Sequence, residues 1–329
     1  MKSFTAAGLS ALLLATIAPA ARAQVAAASA PAAFEAGKPL GVLHEGVYAP
    51  MSANVKVYGG VVSAESCSYD GTRDLIMVVN RGAAQDQVPN DGFVSLLNRD
   101  GSVHTAHWIA GGRNGLILNH PFGSDIHAGR LYLADSDGGT ADGAARVAVI
   151  RMFDVRSGAP AGEIRIADAA WINDLAVARD GTVYASQTGS PDGTAPMRVY
   201  RIAASGQVSV FLEGAPLSLP NGVAIDHEGN IVVANMGDAA ILTYSAQGKL
   251  LKTEAAAQRG SDGLVIMADG TKYVSSVRLG GVSRIRPGQP AELIATGIPS
   301  AASMCFDPRD NQLAIPMNPN NAVAFVRLK

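Results

Sequence analysis

Apolar and polar positions along this chain repeat with a long period. Residues 219–235 read LPNGVAIDHEGNIVVAN: an apolar run, a turn of Asp, Gly and Asn, and a second apolar run. That pattern predicts a β-hairpin. The same unit begins again at Ala64 (AESCSYDGTRDLIMVVN), Pro121 (PFGSDIHAGRLYLADS), Ile172 (INDLAVARDGTVYASQ), Ser261 (SDGLVIMADGTKYVSS) and Ala301 (AASMCFDPRDNQLAIPMN). A third strand usually follows, as in RVAVIRMFDVRSG or AILTYSAQG, and then a fourth, as in QVSVFLEG or AELIATG. Six copies starting 40 to 57 residues apart predict an all-β, six-bladed β-propeller with four-stranded antiparallel blades. The rival architecture is a β-sandwich, and six copies of one hairpin argue against it. After the sixth copy, AVAFVRLK supplies a third strand but no fourth. The unassigned strand NVKVYGG, ahead of the first copy, is expected to complete the last blade. Closing the ring in this way hides its sheet edges. The propeller domain is placed at residues 54–329.

Aligned on the first strand of each copy, one position opens every strand: Glu65, Phe122, Asn173, Asn221, Asp262 and Ala302. The radial repeat brings all six towards the central axis on one face. A lone Asn or Asp at a strand mouth is ordinarily a turn or cap residue, because its side chain satisfies nearby backbone groups. Four oxygen-bearing side chains converging on one axis are different. Glu65 and Asp262 would repel each other unless one is neutralised or a cation lies between them. Two carboxylates and two amide carbonyls form a hard-oxygen set suited to Ca²⁺, Mg²⁺ or Mn²⁺. A metal-free polar channel is the plainer alternative.

The stretches holding Glu65, Asn173, Asn221 and Asp262 resemble the SMP-30/gluconolactonase/luciferin-regenerating-enzyme (LRE) family. PNGVAID…GNIVVAN and SDGLVIMADGTKYVSS are the most specific phrases, and the resemblance covers roughly residues 55–329. It implies a six-bladed propeller with one divalent metal in the axial funnel, hydrolysing lactones or related esters. It further implies that Glu65, Asn221 and Asp262 hold the metal, Ca²⁺ first, with Zn²⁺, Mn²⁺ or Mg²⁺ as alternatives. Asn173 would lie beside the metal as a further ligand or a holder of its water or substrate, and Asp262 would serve as general base. Asp174 would orient the neighbouring amide or serve as a turn residue. Two features depart from the family. Trp171 stands where sugar-lactone members carry an arginine, and the glycine-rich phrase around the first acidic ligand has become Ser63-Ala64-Glu65-Ser66. Trp171 either favours a flatter, more apolar substrate or packs between blades. Phe122 and His120 are the other candidates for substrate contact, His120 being read first as a hydrogen-bonded structural histidine and second as a group that reaches the funnel. The alternative function is a non-catalytic, metal-containing propeller that binds a small ligand or a protein partner.

Composition narrows the setting. The net charge is −2 and no basic run occurs, so a nucleic-acid partner lacks its electrostatic footprint. Residues 1–23, one Lys, an apolar stretch and Ala21-Arg22-Ala23, read as a cleavable signal peptide. Residues 24–53 read as an Ala/Pro-rich leader. The mature protein is therefore expected to be secreted or periplasmic, without a membrane anchor. The two cysteines, Cys67 and Cys305, fall one position apart in the repeat. Because neighbouring residues on a strand point to opposite faces, they are expected to remain free, buried thiols. Asp135, Asp137 and Asp142 suggest a calcium loop, but the EF-hand spacing is missing and a solvated connection is expected. No nucleophile elbow, zinc-protease or dinucleotide-binding motif is present.

Overall fold

In the computed structural model, the described residues are 41–44, 47–50, 52, 54–83, 90–139 and 145–329, the first two segments for their backbone alone. The expected signal peptide at 1–23 lies outside them. Within the expected leader, Gly41–His44 and Val47–Pro50 pair as an antiparallel hairpin. Among the described residues no helix is long and apolar enough to cross a membrane.

The rest is the expected six-bladed propeller. Blade 1 is Ala64–Asp70, Leu75–Asn80, Phe93–Asn98 and Val103–Ala110; blade 2 is Ser124–His127, Arg130–Asp137, Val147–Asp154 and Pro160–Ile166. Blade 3 is Leu175–Val177, Val183–Gln187, Arg198–Ile202 and Val208–Glu213; blade 4 is Pro220–Ile225, Ile231–Asn235, Ala240–Tyr244 and Leu250–Ala255. Blade 5 is Ser261–Ile266, Lys272–Ser276, Val282–Ile285 and Glu292–Ala295. Blade 6 is Cys305–Asp307, Gln312–Met317 and Ala322–Arg327, with Val55–Tyr58 as its outermost strand. The ring closes as expected, with Val323 opposite Tyr58 and Val326 opposite Val55.

The core is six apolar layers, one at each boundary between blades. Blade 4 shows how the sequence makes them. Ile231 and Val233 face blade 3, while Val232 and Ala234 face blade 5. A strand buried on both faces reads as a continuous apolar run rather than an alternation. Each fully buried Val or Ile contributes about 1.5–3 kcal/mol. The outermost strands are largely exposed, as Leu250–Ala255 is.

The same geometry corrects the expectation for the cysteines. Cys67 and Cys305 form a disulfide with Cα atoms 5.4 Å apart. Opposite-pointing positions do exclude a bond between corresponding strands stacked face to face with the same side. Adjacent blades, however, meet through opposite faces. Cys67 points from blade 1 towards blade 6, and Cys305 points from blade 6 towards blade 1, in one shared apolar layer. The offset of one position is what brings them together.

Close to the axis, hydrogen bonds tie each blade to the next. Ser66 Oγ donates to the Phe122 carbonyl (2.6 Å), Ser186 Oγ to that of Asn221 (2.5 Å) and Ser275 Oγ to that of Ala302 (2.8 Å). The Val177 amide donates to Asp125 Oδ2 (2.8 Å) and the Val223 amide to Asp174 Oδ2 (3.1 Å).

Candidate metal centre and funnel

Most of the six strand-mouth residues are set by local backbone features that recur in several blades. In blades 1, 4 and 5 the ladder between first and second strand slips at this point, between Ala64 and Ser66, Pro220 and Val223, and Ser261 and Leu264. A bulge of this kind re-aims a side chain out of the regular pleat. Two residues before the mouth the backbone is left-handed in four blades, at Ser63, Leu219, Gly260 and Ser300. The glycine after the mouth has its own cause. A Cβ on Gly222 would stand 2.1 Å from the Asp262 carbonyl oxygen, and one on Gly263 would stand 2.5 Å from the Met304 amide. The next blade comes so close that only glycine fits, which accounts for the repeated Asn-Gly and Asp-Gly phrases.

Glu65, Asn221 and Asp262 are 5%, 2% and 3% exposed, so this is a desolvated site. Asn221 Nδ2 donates to Asp262 Oδ2 at 3.2 Å. Burial and then the Glu65 and Asp174 charges hold the Asp262 carboxyl well above the usual carboxylate range. Burial likewise raises Glu65, opposed by the Arg81 guanidinium. Two buried oxygens, Asn221 Oδ1 and Asp262 Oδ1, have no hydrogen-bond partner. Leaving a buried acceptor unsatisfied costs about 1–3 kcal/mol. Two such oxygens beside a pair of mutually repelling carboxylates form the donor set a hard divalent cation takes, so these residues fit such an ion. Among the described residues no three His, Cys, Asp or Glu side chains cluster as a metal site by themselves; the set here depends on amide oxygens.

The remaining expected site residues are placed as follows. Asn173 Nδ2 donates to Thr188 Oγ1 at 3.2 Å, so a ligand would meet the Asn173 carbonyl oxygen. Phe122 holds the blade 2 position, and Trp171 lies against it, ring centroids 5.7 Å apart at 38°. Trp171 is half-buried and also joins the layer between blades 2 and 3. His120 is buried, its backbone amide donating to Asp135 Oδ1 at 2.6 Å. Asp135 and Asp137 are held by Arg151, and Asp137 also by Arg165 at 2.5 Å; Asp142 lies outside the described residues. Asp174 and Asp125 line a channel of about 310 Å³ beneath the ring, with Ser68, Ser124 and the disulfide. Burial pushes Asp174 up to about 7 and Asp125 up to about 6. A separate groove of about 720 Å³, lined by Trp108, Ile117, Arg151 and Phe153, lies outside this axial site.

Two residues at the site escape a search of the first strands. Asn318 Nδ2 donates to Glu65 Oε2, and Arg81 Nη1 lies 3.5 Å from the same oxygen. Both follow a second strand, at Asn80 and at Met317. Thr188, beside Asn173, and Met236, whose sulfur lies 3.9 Å from Asn221 Nδ2, hold the same place. These residues stand 15 or 16 positions after the mouth residue of their own blade. That near-constant offset, read once the strands are paired, marks them as a second tier around the ring.

A model of the SMP-30/gluconolactonase/LRE-like region matches residues 163–315, a span containing Asn173, Asn221 and Asp262. The resemblance read from the sequence holds over that span; Glu65 and Arg81 precede it. No curated protein matches the chain. Solved structures with a similar fold include a structural-genomics protein described as a gluconolactonase, at 18% identity, TM-score 0.58, covering 84% of this chain and 93% of that one. The gluconolactonase of Xanthomonas campestris is similar at 18% identity and TM-score 0.58, covering 84% and 90%. Virginiamycin B lyase from Staphylococcus aureus is similar at 11% identity and TM-score 0.58, covering 84% and 99%. Structures of such low identity share the fold, and one fold hosts different chemistries.

Proposed function

With residues 163–315 matching the SMP-30/gluconolactonase/LRE-like region as the premise, we propose that the chain is an exported, metal-dependent hydrolase of a lactone or related ester. The observation that carries this reading is the pair of buried, unpartnered oxygens, Asn221 Oδ1 and Asp262 Oδ1, beside Glu65. Glu65, Asn221 and Asp262 would hold one divalent ion, Ca²⁺ first, with Asn173 as a further oxygen. When bound, the ion supplies a Lewis acid for the ester carbonyl and acidifies water. The chain's own groups then divide the work. Asp262 accepts the proton of the attacking water. Asn173 and Asn221 orient it without adding charge. The buried setting keeps bulk water away, which strengthens each of these interactions. The names of the gluconolactonase neighbours support a lactone as substrate.

Export is supported by the signal-like residues 1–23 and by the Cys67–Cys305 bond, since disulfides persist in oxidising compartments. A second reading has one observation in its favour. Glu65 is already engaged by Arg81 and Asn318, which suits a propeller that binds a ligand without turning it over.

The test uses purified full-length mature protein. Metal is stripped, a panel of aromatic and aliphatic lactones is assayed, and Ca²⁺, Mn²⁺, Mg²⁺ or Zn²⁺ is restored in turn. Turnover that returns with a divalent ion and is lost in Asp262→Ala is expected. If no lactone or ester turns over with any ion while calorimetry shows ligand binding intact in Asp262→Ala, the hydrolase reading is wrong.

A further inference from the structure

We infer that the funnel selects lactones or esters with a hydrocarbon body over polyhydroxylated ones, the body lying on an apolar wall that blades 3 to 5 build beside the ring. This rests on the hydrolase reading of the same site. The wall is Trp171, Leu219, Met236 and Val277. Trp171 and Leu219 stand two residues before Asn173 and Asn221. Met236 and Val277 follow the second strands of blades 4 and 5, which end at Asn235 and Ser276. The backbone fixes these positions beside one another. The Met236 amide donates to the Leu219 carbonyl and the Val277 amide to that of Gly260, both at 2.9 Å.

Met236 lies against the ring, its Sδ 3.9 Å from Asn221 Nδ2. Met236 and Val277 are half-buried. Among the described residues, neither they nor Leu219 join any of the six apolar layers between blades. Blade packing therefore does not account for them. Trp171, half-buried and in contact with Phe122, extends the wall towards blade 2. Apolar side chains scattered singly outside a core need no explanation, but a contiguous set does. Ligand sites typically combine such a wall with a few convergent polar groups, here the oxygens of Asn173, Asn221 and Asp262. Methionine adds an adaptable surface that moulds to a hydrocarbon.

The opposite side of the funnel is built differently. The matching places in blades 6 and 1 hold Asn318, Ser63 and Arg81. These polar groups are engaged within the protein. Asn318 and Arg81 both meet Glu65, Arg81 also lies over the Phe122 ring, and Ser63 Oγ donates to Asn318 Oδ1 at 3.2 Å. A polyol seated over the ring would press hydroxyls against the hydrocarbon of blades 3 to 5 and leave them unpaired, which is costly. A hydrocarbon body in that place leaves water for an apolar surface, which is favourable in proportion to its area. The reaction itself is ordinary hydrolysis: water oxygen bonds to the carbonyl carbon, the ester C–O bond breaks, and the departing oxygen takes a proton.

The experiment compares δ-valerolactone, δ-hexalactone, δ-octalactone and δ-decalactone, which share one ring, with glucono-δ-lactone. The unreactive 2-piperidone and its 6-alkyl derivatives serve as calorimetric probes. All are measured in the divalent ion that gives turnover, or in Ca²⁺ where none does, on wild type, Met236→Gln, Met236→Leu and Val277→Thr. In wild type, kcat/KM and lactam affinity should each rise about fourfold for every methylene buried. In Met236→Gln and Val277→Thr that increment should fall below about twofold, and Met236→Leu should keep it. Circular dichroism and Tm establish that each variant is folded, and Val277→Thr, nearly unchanged in shape, keeps the test valid if Met236→Gln is not. Lactone turnover with no dependence on chain length, a kcat/KM for glucono-δ-lactone above that for δ-decalactone, or an increment unchanged in folded Met236→Gln and Val277→Thr overturns the inference and leaves the hydrolase reading standing. Lactam affinity that climbs with chain length in wild type and not in the variants, with no turnover of any lactone or ester, supports the apolar wall and removes the hydrolase reading.

Discussion

At the scale of single residues, the ring is a place where stability is given up. Asp262 and Glu65 repel one another inside a desolvated site. Asp262→Asn removes one charge and keeps the shape. In chelator the variant is expected to be more stable than wild type, by about 1–3 kcal/mol on the scale of a relieved buried group. The rise in Tm that Ca²⁺ gives wild type should disappear in it; a ligand at 100 times its Kd adds about 2.7 kcal/mol. Thermal unfolding with and without Ca²⁺ measures both, and an Asp262→Asn protein still stabilised by Ca²⁺ to the wild-type extent would remove Asp262 from the ligand set. Asp125 gives a pH dependence away from the ring. Burial lifts its carboxyl from an ordinary 3.8 to about 6 in the folded protein, so between those values the native state binds more protons than the unfolded one. Stability contributed by this proton is complete below pH ~4 and is lost as pH rises through 6, amounting to about 3 kcal/mol. Tm in chelator should therefore fall over that window, and Asp125→Asn should flatten the fall; an unchanged slope would show that Asp125 is not its source. The ring residues were legible because each opens a repeated strand. Arg81 and Asn318 were not, because they follow second strands, and their common offset becomes visible only once the pairing of the strands is known.

At the scale of the element, each first strand is built to lie against the backbone of the next blade. The glycines of Asn221-Gly222 and Asp262-Gly263 answer to that closeness, not to turn geometry. Gly222→Ala places a methyl 2.1 Å from a backbone oxygen, a neighbour that cannot swing away as a long side chain would. The expected cost is about 3 kcal/mol or more, read as a lower urea midpoint. Gly59→Ala, whose Cβ would stand 4.0 Å from its nearest neighbour, is the matched control. Equal midpoints for the two variants would mean that the blades part easily at the axis. The hairpins themselves were legible from the apolar runs, since the second strands are buried on both faces. The bulges in blades 1, 4 and 5 and three of the four left-handed residues left no such mark, because Ser63, Leu219 and Ser300 are not residue types that announce a left-handed backbone.

At the scale of the whole molecule, the ring depends on the seam between blades 6 and 1. Val55–Tyr58 closes it from outside by pairing with Ala322–Arg327. The Cys67–Cys305 bond closes it near the axis, joining residues 238 apart in sequence. At the mouth, the Ser303 amide donates to the Glu65 carbonyl at 3.1 Å and the Ser63 amide to Asn321 Oδ1 at 2.8 Å. Closure was legible from the strand left over at the start of the chain. The bond was misread because facing was judged along one strand instead of across two blades. A cross-link over so long a loop removes chain entropy worth about 5.5 kcal/mol at most in the loop-closure model, or roughly 10 °C in Tm for a domain of this size. Cys67→Ser/Cys305→Ser is therefore expected to melt lower by about that much. Because Glu65 stands on the seam and Asn221 and Asp262 do not, the double variant should also bind Ca²⁺ more weakly than wild type. Glu65→Gln separates the two effects: it should weaken Ca²⁺ binding while leaving Tm in chelator at or above the wild-type value. Calorimetry and thermal unfolding on the three proteins decide the matter. A double variant that matches wild type in both would mean that the paired strand and the apolar layer alone hold the ring shut, with the disulfide contributing nothing to the geometry of the site.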